Sequence, residues 1–501
     1  MIFLLLLFMD KSFNIPQYVL DIGVALGKAG FEAYLVGGCV RDLLLSRDVN
    51  DWDIATNATP DQVQKLFVDS VYENEFGTVG IKVREHPEDQ VRDVVEVTTY
   101  RVESRYSDQR HPDSVRFAKT LEEDLSRRDF TINAMAVKLP ITNYQLPITD
   151  LFDGQDDLKK KLIRCVGNPD ERFGEDALRL MRCVRFAAQL GFAIEKETGD
   201  ALARNAGLLA HIAQERIRDE FTKIIMCENA ASGLVMLEQY GLLAYIVPEL
   251  REGIRVAQNR HHIYGVWEHT VRTLDYAARQ GYSLEVRLAA LFHDIAKPRT
   301  KAGEGEFATF YNHERVGARM ARKIMEWLRF SGEIADRVEH LVRYHMFYYN
   351  VGEVSEAGVR RFINRVGVEY LDDLIKVREA DRIGSGVPKA VPYKIRHLLF
   401  MIEKVRHDPV SPKMLAVHGE DVMRILGIAP GPRVGLVLAV LLDEVLEDPG
   451  RNVAAHLEAR IQGLGALSDG ELRKKAADAR ARSMEFEQGV EQGMKEKYFV
   501  S

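Results

Sequence analysis

The sequence predicts an α+β protein in which a small N-terminal α/β head is followed by an elongated all-α region. Short Val- and Thr-rich runs separated by glycine and proline turns fill roughly the first 150 residues, and this pattern is typical of strands between short helices. From about residue 160 the strand pattern disappears. Long stretches with helical periodicity then dominate, such as EDALRLMRCVRFAAQL (175–190) and SLEVRLAALFHDIA (283–296).

The predicted head elements follow one another as a strand, a turn, a helix and further strands. FEAYLV (31–36) is an apolar strand that ends at Gly37-Gly38, and VRDLLL continues at helical spacing. DWDIAT is strand-like, and Thr59-Pro60 begins a helix because threonine caps a first turn in which proline is tolerated. Two further strands are predicted in VGIKVRE and VRDVVEVTTY.

Local helix breakers divide the helical region. They lie at Asn168-Pro169, Gly303–Gly305 and Gly384–Pro388. Residues 470–501 have mixed charge and predict a surface helix with a frayed end. The domain boundaries expected from these changes are 1–150 for the head, 151–250 for a helical neck, 251–390 for a central helical domain and 391–501 for a helical body and tail.

Composition excludes several classes of protein. The 501 residues are 46% hydrophobic and 29% charged, as in globular proteins. The net charge of -7 excludes a generic polyanion binder, so any RNA contact must use local basic patches. The four cysteines are scattered without a C-x-x-C pair, which argues against a disulfide framework and against a thiolate zinc site.

The opening MIFLLLLFMD is apolar over about eight residues, whereas a membrane span needs roughly 20. It has neither a basic n-region nor a small-residue cleavage site, so it does not read as a signal peptide. Two explanations fit this apolar run equally well: translation that really begins at Met9, or an extra turn that is buried in the fold. We expect a cytoplasmic protein with no membrane contact.

A pair of carboxylates follows the glycine turn. Asp51 and Asp53 are two residues apart in a strand-like segment, so both side chains lie on one face of the sheet. Two like charges this close are unfavourable unless a cation bridges them, and Mg²⁺ prefers carboxylate oxygens. Glu96 offers a third carboxylate from a neighbouring strand. A lone D-x-D is usually a solvated turn, but G-G-x-V-R-D followed by D-x-D is far more specific.

These motifs carry a family resemblance. LVGGCVRDLLLSRDVNDWDIATNATP resembles the opening motif of class II tRNA nucleotidyltransferases (CCA-adding enzymes) and of the related bacterial poly(A) polymerases. The resemblance continues through VEVTTYRVESRYSDQRHPDSVRFAKTLEEDLSRRDFTINAMA, LFDGQDDLKKKLIRCVGNPDERFGEDALRLMRCVRFAAQLGF, ERIRDEFTKI and GEDVMRILGIAPGPRVG. It implies a polymerase-beta-like nucleotidyltransferase head, tRNA as partner, ATP and CTP as substrates and Mg²⁺ as cofactor.

The resemblance also implies residue roles. Asp51 and Asp53 would hold the catalytic metal, and the triphosphate would be bound at the glycine turn and by arginines. The residues implied in nucleotide binding are Gly37, Gly38, Arg41, Arg128, Asp129, Asp176, Arg179, Arg182 and Arg185. Of these, Asp176 and Arg179 would read the incoming base, whereas Arg182 and Arg185 would contact phosphate or stack. On residue types alone, the arginines of this segment are equally well explained as a solvated basic helix face.

A second constellation lies in the central helical domain. His269, the His293-Asp294 pair and Asp381 occur in the H…HD…D order and resemble the HD phosphohydrolase superfamily, which implies a divalent metal. Imidazole with carboxylate suits Mn²⁺, Ni²⁺, Fe or Zn²⁺. His313 and His345 fall where a second metal would need ligands. The alternative is that each histidine is an ordinary core or surface residue.

Three functions remain open from the sequence. The first is addition of CCA, or of its terminal A, to tRNA, with a possible phosphohydrolase activity in the HD domain. The second is poly(A) synthesis, and the third is an HD phosphohydrolase with an inactive head. The intact loop RVESRYSDQRHP (101–112) favours full CCA or A addition within the family resemblance. A monomer and a homodimer are equally compatible with the sequence.

Overall fold

The computed structural model describes residues 14–72, 77–84, 89–103, 115–141, 146–259, 263–387, 389–406 and 412–500. The apolar opening run and residues 104–112 of the loop singled out above lie outside these ranges. The described residues contain these strands: β1 (Ala33–Val36), β2 (Trp52–Thr56), β3 (Ser70–Tyr72), β4 (Thr78–Val83), β5 (Asp93–Thr99), β6 (Arg101–Glu103), β7 (Val115–Phe117), β8 (Met135–Lys138), β9 (Ile148–Asp150), β10 (Leu162–Ile163) and β11 (Ala193–Ile194).

The helices of the head and neck are α1 (Gln17–Lys28), α2 (Gly38–Leu44), α3 (Pro60–Leu66), α4 (Leu121–Ser126), α5 (Gly154–Lys160), α6 (Pro169–Glu175), α7 (Leu178–Leu190), α8 (Lys196–Asn205), α9 (Gln214–Met226), α10 (Ala230–Gln239), α11 (Leu243–Ile246) and α12 (Pro248–Arg251). Those that follow are α13 (Val266–Arg279), α14 (Leu284–Phe292), α15 (Lys297–Thr300), α16 (His313–Trp327), α17 (Gly332–Tyr344), α18 (Glu356–Val366), α19 (Leu371–Gly384), α20 (Tyr393–Arg406), α21 (Gly419–Leu426), α22 (Pro432–Glu447), α23 (Ala454–Gly465) and α24 (Asp469–Tyr498). The predicted α+β class is confirmed.

The head is built on a seven-stranded sheet with the order β3-β4-β5-β2-β1-β8-β9. Strands β2 and β5 run parallel, and the other neighbouring strands run antiparallel. The parallel register pairs Asp53 with Glu96. The sequence prediction missed α1 and the short strand β3, and it did not expect the small parallel pair of β10 and β11.

The helix predicted over 175–190 is wrong in one respect, because the structure divides it. Helix α6 ends at Glu175 and α7 begins at Leu178. Asp176 lies between them with extended backbone (φ -136°, ψ 103°), and its Oδ1 accepts a hydrogen bond from the Leu178 N–H at 3.1 Å. Asp176 therefore does not share a helical face with Arg179 and Arg182.

The chain forms two compact units. The first contains the described residues of Met1–Met346 and Asp372–Pro388, and the second those of Phe347–Leu371 and Lys389–Ser501. The second unit has a hydrophobic core of its own, in which Val437, Leu441, Leu457, Ile461 and Leu472 are fully buried. The predicted boundaries near 150 and 250 fall inside the first unit and remain predictions. No helix in the described ranges is both long and apolar enough to span a membrane.

Candidate active site and candidate metal cluster

The turn between β1 and α2 brings the backbone close to the acidic end of β2. Gly37 has a φ of 78°, in the left-handed region that favours glycine. A Cβ at this position would lie 2.9 Å from Nη1 of Arg128 and 3.4 Å from Oδ2 of Asp53. Only a residue without a side chain allows Arg128 and Asp53 to approach the turn this closely.

The carboxylate pair lies where the sequence places it. Asp51 directly precedes β2 and Asp53 is the second residue of that strand, so the two side chains share one side of the sheet. Burial raises the pKa of Asp53 to about 6, with Arg128 opposing the shift and Asp51 adding to it. A buried carboxylate beside a second carboxylate is a good fit for Mg²⁺, which takes the place of the proton. Glu96 is exposed next to Asp53 on β5.

A cavity of about 790 Å³ opens over this pair. Of the predicted site residues, those that line it are Gly37, Gly38, Arg41, Asp51, Asp53, Arg128, Asp129, Arg182 and Arg185. Carboxylates and guanidinium groups thus share one cavity. This combination suits a triphosphate, whose oxygens accept charge-assisted hydrogen bonds from arginine while a cation held by carboxylates neutralises the remaining charge.

The arginines of this cavity are held in place by buried partners. The guanidinium of Arg41 donates from Nη1 to Oδ1 of Asn133 at 2.8 Å and pairs with Asp42 at 2.8 Å. Arg128 pairs with the buried Asp124 at 3.2 Å. Because both side chains are fixed before any ligand binds, less conformational entropy is lost on binding a phosphate.

Asp129 orients an arginine. Its Oδ2 accepts a hydrogen bond from Arg182, and their closest ion-pair distance is 2.7 Å. Its Oδ1 accepts from Nδ2 of Asn133 at 3.1 Å. Burial by itself would raise the pKa of Asp129, but Arg182 and the Asn133 hydrogen bond outweigh burial and lower the pKa to about 2. The carboxylate is therefore ionised and holds Arg182 at the cavity.

Phe186 is the residue of this cavity that sequence reasoning missed. The guanidinium carbons of Arg41, Arg182 and Arg185 lie 5.0, 5.3 and 4.0 Å from the centre of its ring. An aromatic ring attracts cations over its face, so Phe186 keeps three mutually repelling groups together. Its position directly after Arg185 was the only signal in the sequence, and the contact with Arg41 depends on the fold.

Asp176 and Arg179, the predicted base-reading residues, do not line the cavity of the other predicted residues. Asp176 pairs with Arg216 at 2.9 Å. Arg179 is only 8% exposed, pairs with Glu175 at 2.5 Å and donates to the backbone carbonyl of Arg127 at 3.0 Å. The structure therefore brings Arg182 and Arg185 to the carboxylate pair but holds Asp176 and Arg179 in ion pairs beside it.

The predicted HD residues converge in the first unit. They arrive from different elements: His269 from α13, His293 and Asp294 from the turn after α14, His313 from the start of α16, His345 from the end of α17 and Asp381 from α19. All six side chains are buried. They form two groups of potential metal ligands, His269 with His293 and Asp381, and Asp294 with His313 and His345.

Asp294 connects the two groups through its two oxygens. Its Oδ2 lies 3.1 Å from Nε2 of His269 and 3.2 Å from Nε2 of His293. Its Oδ1 lies 3.4 Å from Nε2 of His313 and 3.9 Å from Nε2 of His345. A carboxylate with one oxygen in each group has the arrangement of a ligand that bridges two metal ions.

The histidines are oriented as metal ligands. Nδ1 of His293, His313 and His345 hydrogen-bonds to the backbone carbonyls of Ala290, Phe310 and Val342 at 2.8, 2.7 and 2.6 Å. A carbonyl only accepts, so each Nδ1 carries a proton and Nε2 is the ring nitrogen left for a metal. The Nε2 atoms of His313 and His345 lie only 3.3 Å apart. Two ring nitrogens at this distance need either a proton or a metal cation between them.

Charge in this cluster is balanced by two basic side chains and by protons that a cation can replace. Nζ of Lys297 lies 2.6 Å from Oδ2 of Asp294, and Arg378 pairs with Asp381 at 2.7 Å. Burial alone lowers the pKa of His293, but Asp294 and Asp381 outweigh burial and raise the pKa to about 10. Burial, reinforced by the neighbouring His293, lowers the pKa of His345 to about 3. His345 is thus neutral at pH 7, whereas His293 holds a proton that a divalent metal would displace. The donor set fits a transition metal such as Mn²⁺ or Ni²⁺.

Three protein-family models match the chain in the order of its elements. They are described as Poly A polymerase head domain (residues 33–164), Probable RNA and SrmB-binding site of polymerase A (191–254) and HD domain (266–384). The head cavity falls mostly within the first match. The histidine and aspartate cluster lies wholly within the third.

Curated relatives identify the family. A CCA-adding enzyme of Enterococcus faecalis is 35% identical over 429 residues, which cover 83% of this chain and 88% of the relative. The chain belongs to the CCA-adding enzyme family. A CCA-adding enzyme of Limosilactobacillus fermentum is 48% identical over 227 residues, covering 45% of this chain and 54% of the relative. The chain thus spans about half the length of some of the relatives that it matches.

Solved structures agree with this assignment. The crystal structure of a Bacillus stearothermophilus CCA-adding enzyme in complex with CTP superposes with a TM-score of 0.58 at 29% identity. The superposition covers 91% of this chain and 98% of the other. The predicted order of a small sheet-containing head followed by helices is therefore confirmed both by the described elements and by this neighbour.

Proposed function

We propose that the protein adds CCA, or its terminal A, to the 3′ end of tRNA, using CTP and ATP and releasing pyrophosphate. The observation that carries this proposal is the joint cavity in which Asp51 and Asp53 face the Gly37-Gly38 turn and the arginines Arg41, Arg128 and Arg182. The Bacillus stearothermophilus neighbour was solved in complex with CTP, which supports a nucleoside triphosphate as substrate.

In this proposal, Asp51 and Asp53 hold Mg²⁺, with Glu96 as a third carboxylate beside Asp53. The ion would stabilise the charge that builds up on the phosphoryl oxygens. Arg41 and Arg128 bind triphosphate oxygens, and Arg182, oriented by Asp129, adds a further donor. The 3′-hydroxyl oxygen of the tRNA attacks the α-phosphorus and its proton passes to water. The bond from the α-phosphorus to the bridging oxygen breaks, and pyrophosphate leaves.

Selection of C and A is proposed for Asp176 and Arg179. An aspartate accepts hydrogen bonds from the exocyclic amino group of cytosine or adenine, and an arginine donates to ring nitrogens or carbonyls. Both side chains are engaged in ion pairs, with Arg216 and with Glu175. Base reading therefore requires these ion pairs to open and the base to take the place of the partner. Uracil and guanine carry a carbonyl oxygen where cytosine and adenine carry that amino group, so they would place an acceptor against the carboxylate.

The test is incorporation by the purified protein. It is incubated with tRNA that lacks CCA and with tRNA that ends in CC, with each nucleoside triphosphate singly and with CTP and ATP together. The expected product is a tRNA that ends in CCA and is extended no further, and extension of only the tRNA ending in CC would indicate addition of the terminal A alone. A ladder of A residues would instead indicate a poly(A) polymerase, and no extension with any nucleotide would contradict the proposal.

A second activity is favoured by the bridging position of Asp294 between the two ligand groups. We propose that the HD cluster binds one or two transition-metal ions and hydrolyses a phosphoester, such as a 2′,3′-cyclic phosphate at a damaged tRNA end. A cyclic phosphate blocks the hydroxyl that the head must extend, so the two activities are chemically coherent. Water adds to phosphorus, the bond from phosphorus to the 3′ oxygen breaks, the 3′ oxygen takes up a proton, and a 2′-phosphate remains.

Two variants separate this activity from nucleotide addition. His293→Ala is expected to lose bound transition metal and hydrolysis of a chromogenic phosphodiester while retaining nucleotide addition. Asp51→Ala is expected to show the reverse. Wild-type protein that contains no metal other than Mg²⁺ and hydrolyses no diester would show that the HD helices serve only as scaffold.

A further inference from the structure

A second cavity is lined only by residues of the second unit, none of which belongs to the head cavity or to the HD cluster. Its volume is about 520 Å³, within the range of roughly 300–1,000 Å³ typical of small-ligand pockets. Its lining combines aromatic rings with two arginines: Phe347, Tyr348, Tyr349, Phe362, Arg361 and Arg365. We call these residues the aromatic pocket.

The rings of the aromatic pocket are held by neighbouring groups. Phe347 and Phe362 contact each other with ring centres 5.2 Å apart and planes inclined by 49°. The hydroxyl of Tyr349 hydrogen-bonds to Nδ1 of His397 at 2.6 Å, and that of Tyr348 to Glu353. Rings fixed in this way offer a flat ligand a preformed stacking surface.

The charge of the pocket selects the ligand class. Arg361 and Arg365 are one helical turn apart on α18, so they share a face of that helix. Within the described residues neither one forms an ion pair, in contrast to the adjacent Arg360, which lies 3.7 Å from Glu356. No acidic side chain lines the pocket. Aromatic cages that bind ammonium groups are excluded, because two guanidinium groups would repel a cation.

We infer that the aromatic pocket binds one unstacked nucleotide of the tRNA, its base stacked on an aromatic ring and its phosphate paired with Arg361 or Arg365. Proteins recognise single-stranded RNA by stacking splayed bases on aromatic side chains while cationic groups follow the backbone. Tyr348 is 71% exposed, so the pocket opens to the surface, as a nucleotide linked on both sides to a polymer requires. The identity of the RNA rests on the proposed function, whereas the ligand chemistry does not.

The experiment measures affinity without catalysis. Binding of tRNA lacking CCA is followed by fluorescence anisotropy in the absence of nucleoside triphosphates, for wild type, Tyr348→Ala and the double variant Arg361→Ala/Arg365→Ala. Each change is expected to weaken binding about tenfold, the size of one lost stacking or phosphate contact. Tyr348→Phe retains the ring but loses the hydrogen bond to Glu353, and it should keep most of the affinity that Tyr348→Ala loses. Arg360→Ala is the matched control on the same helix and should leave the affinity unchanged.

A second probe identifies the bound group. A single-stranded RNA hexamer containing 2-aminopurine should lose fluorescence on binding wild type but not on binding Tyr348→Ala, and the same strand in a duplex should show no such difference. Unchanged tRNA affinity in the variants, with circular dichroism showing a normal fold, would overturn the inference. Displacement of the hexamer by AMP at concentrations as low as those needed for tRNA would also overturn the inference, because the pocket would then be a small-molecule site. If the variants change tRNA binding as expected but no nucleotide is added, the proposed function is wrong and the inference that the aromatic pocket binds a nucleotide is retained.

Discussion

Asp53 lies near the start of β2, where burial raises its pKa to about 6 while Arg128 opposes the shift and Asp51 adds to it. Its two-residue spacing from Asp51 and the preceding glycines are local features, so the carboxylate pair was predictable from the sequence. Arg182 reaches Asp129 and Phe186 reaches Arg41 only because α7 packs beside the head. Contacts between residues this far apart in the chain leave no periodic signal, and Phe186 was therefore missed.

We expect Asp53→Asn to abolish nucleotide addition and yet stabilise the metal-free protein. The folded state favours protonated Asp53, because its pKa is raised from 3.8 to about 6. The stability that the folded state gains from this protonation is complete below the unfolded pKa near 4 and is lost as the pH rises through 6. In EDTA at pH 8 the variant should therefore be more stable by about 2 kcal/mol, and the gain should shrink at pH 5.

Chemical denaturation at the two pH values measures this difference. Asp51→Asn is the matched control. The Asp51 carboxylate is exposed, so its removal should change the stability of the protein little. Equal stability of wild type and Asp53→Asn at pH 8 in EDTA would show that Asp53 is not under strain from burial.

Arg182→Ala should destabilise the protein by about 3 kcal/mol at pH 7, because it leaves the buried Asp129 carboxylate without its partner. The lowered pKa of Asp129 stabilises the fold above the unfolded pKa near 4 and stops doing so as the pH falls toward 2. Without Arg182, the stability that depends on ionised Asp129 should begin to decrease at a higher pH. Urea unfolding across pH 3–7 measures it, and Asp129→Asn in the Arg182→Ala background should restore much of the stability.

The control is Arg204→Ala. Arg204 forms an ion pair with Asp170 in which both side chains are about half exposed, and solvent-screened pairs of this kind contribute little to stability. A loss in Arg182→Ala no larger than in Arg204→Ala would contradict the role given to the buried pair.

At the scale of elements, short helices position the chemistry. The sequence anticipated the helix after Thr59, whose side chain forms a capping box with Gln62. The sequence did not predict the break at Asp176 between α6 and α7. The residue types continue the helical pattern through this position, but the Asp176 side chain accepts a hydrogen bond from the Leu178 N–H, which competes with helix formation. Helix α4 shows the functional side of capping, since Arg127, Arg128 and Asp129 follow its last turn.

Thr120→Ala should therefore affect the nucleotide site from a distance. Oγ1 of Thr120 accepts a hydrogen bond from the Glu123 N–H at 3.3 Å, and Glu123 completes the capping box. Losing such a cap costs about 1 kcal/mol. We expect that decrease in stability together with a severalfold higher KM for CTP and an unchanged kcat. Ser126→Ala at the opposite end of α4 is the control, and an equal KM effect there would refute the capping explanation.

At the scale of the whole molecule, the order H…HD…D predicted the cluster but not its internal arrangement. Residue types and order are local information. The bridging position of Asp294 and the shared orientation of His293, His313 and His345 depend on how five helices meet. The aromatic pocket was missed for the same reason, since its rings belong to separate segments of the second unit.

The two units should respond separately to metal and to core mutation. Metal ions in the two ligand groups of the HD cluster would connect α13 with α19 and α16 with α17, and all six ligands belong to the first unit. One such ion at 100 times its dissociation constant would add about 2.7 kcal/mol to the stability of that unit. Leu441→Ala removes a fully buried side chain from the separate core of the second unit, at a cost of about 2–5 kcal/mol. Calorimetry should show two unfolding transitions. Mn²⁺ should raise the midpoint temperature of one, and Leu441→Ala should lower the midpoint temperature of the other. His313→Ala should abolish the Mn²⁺ shift alone, whereas a single transition that follows both changes would show that the units unfold as one.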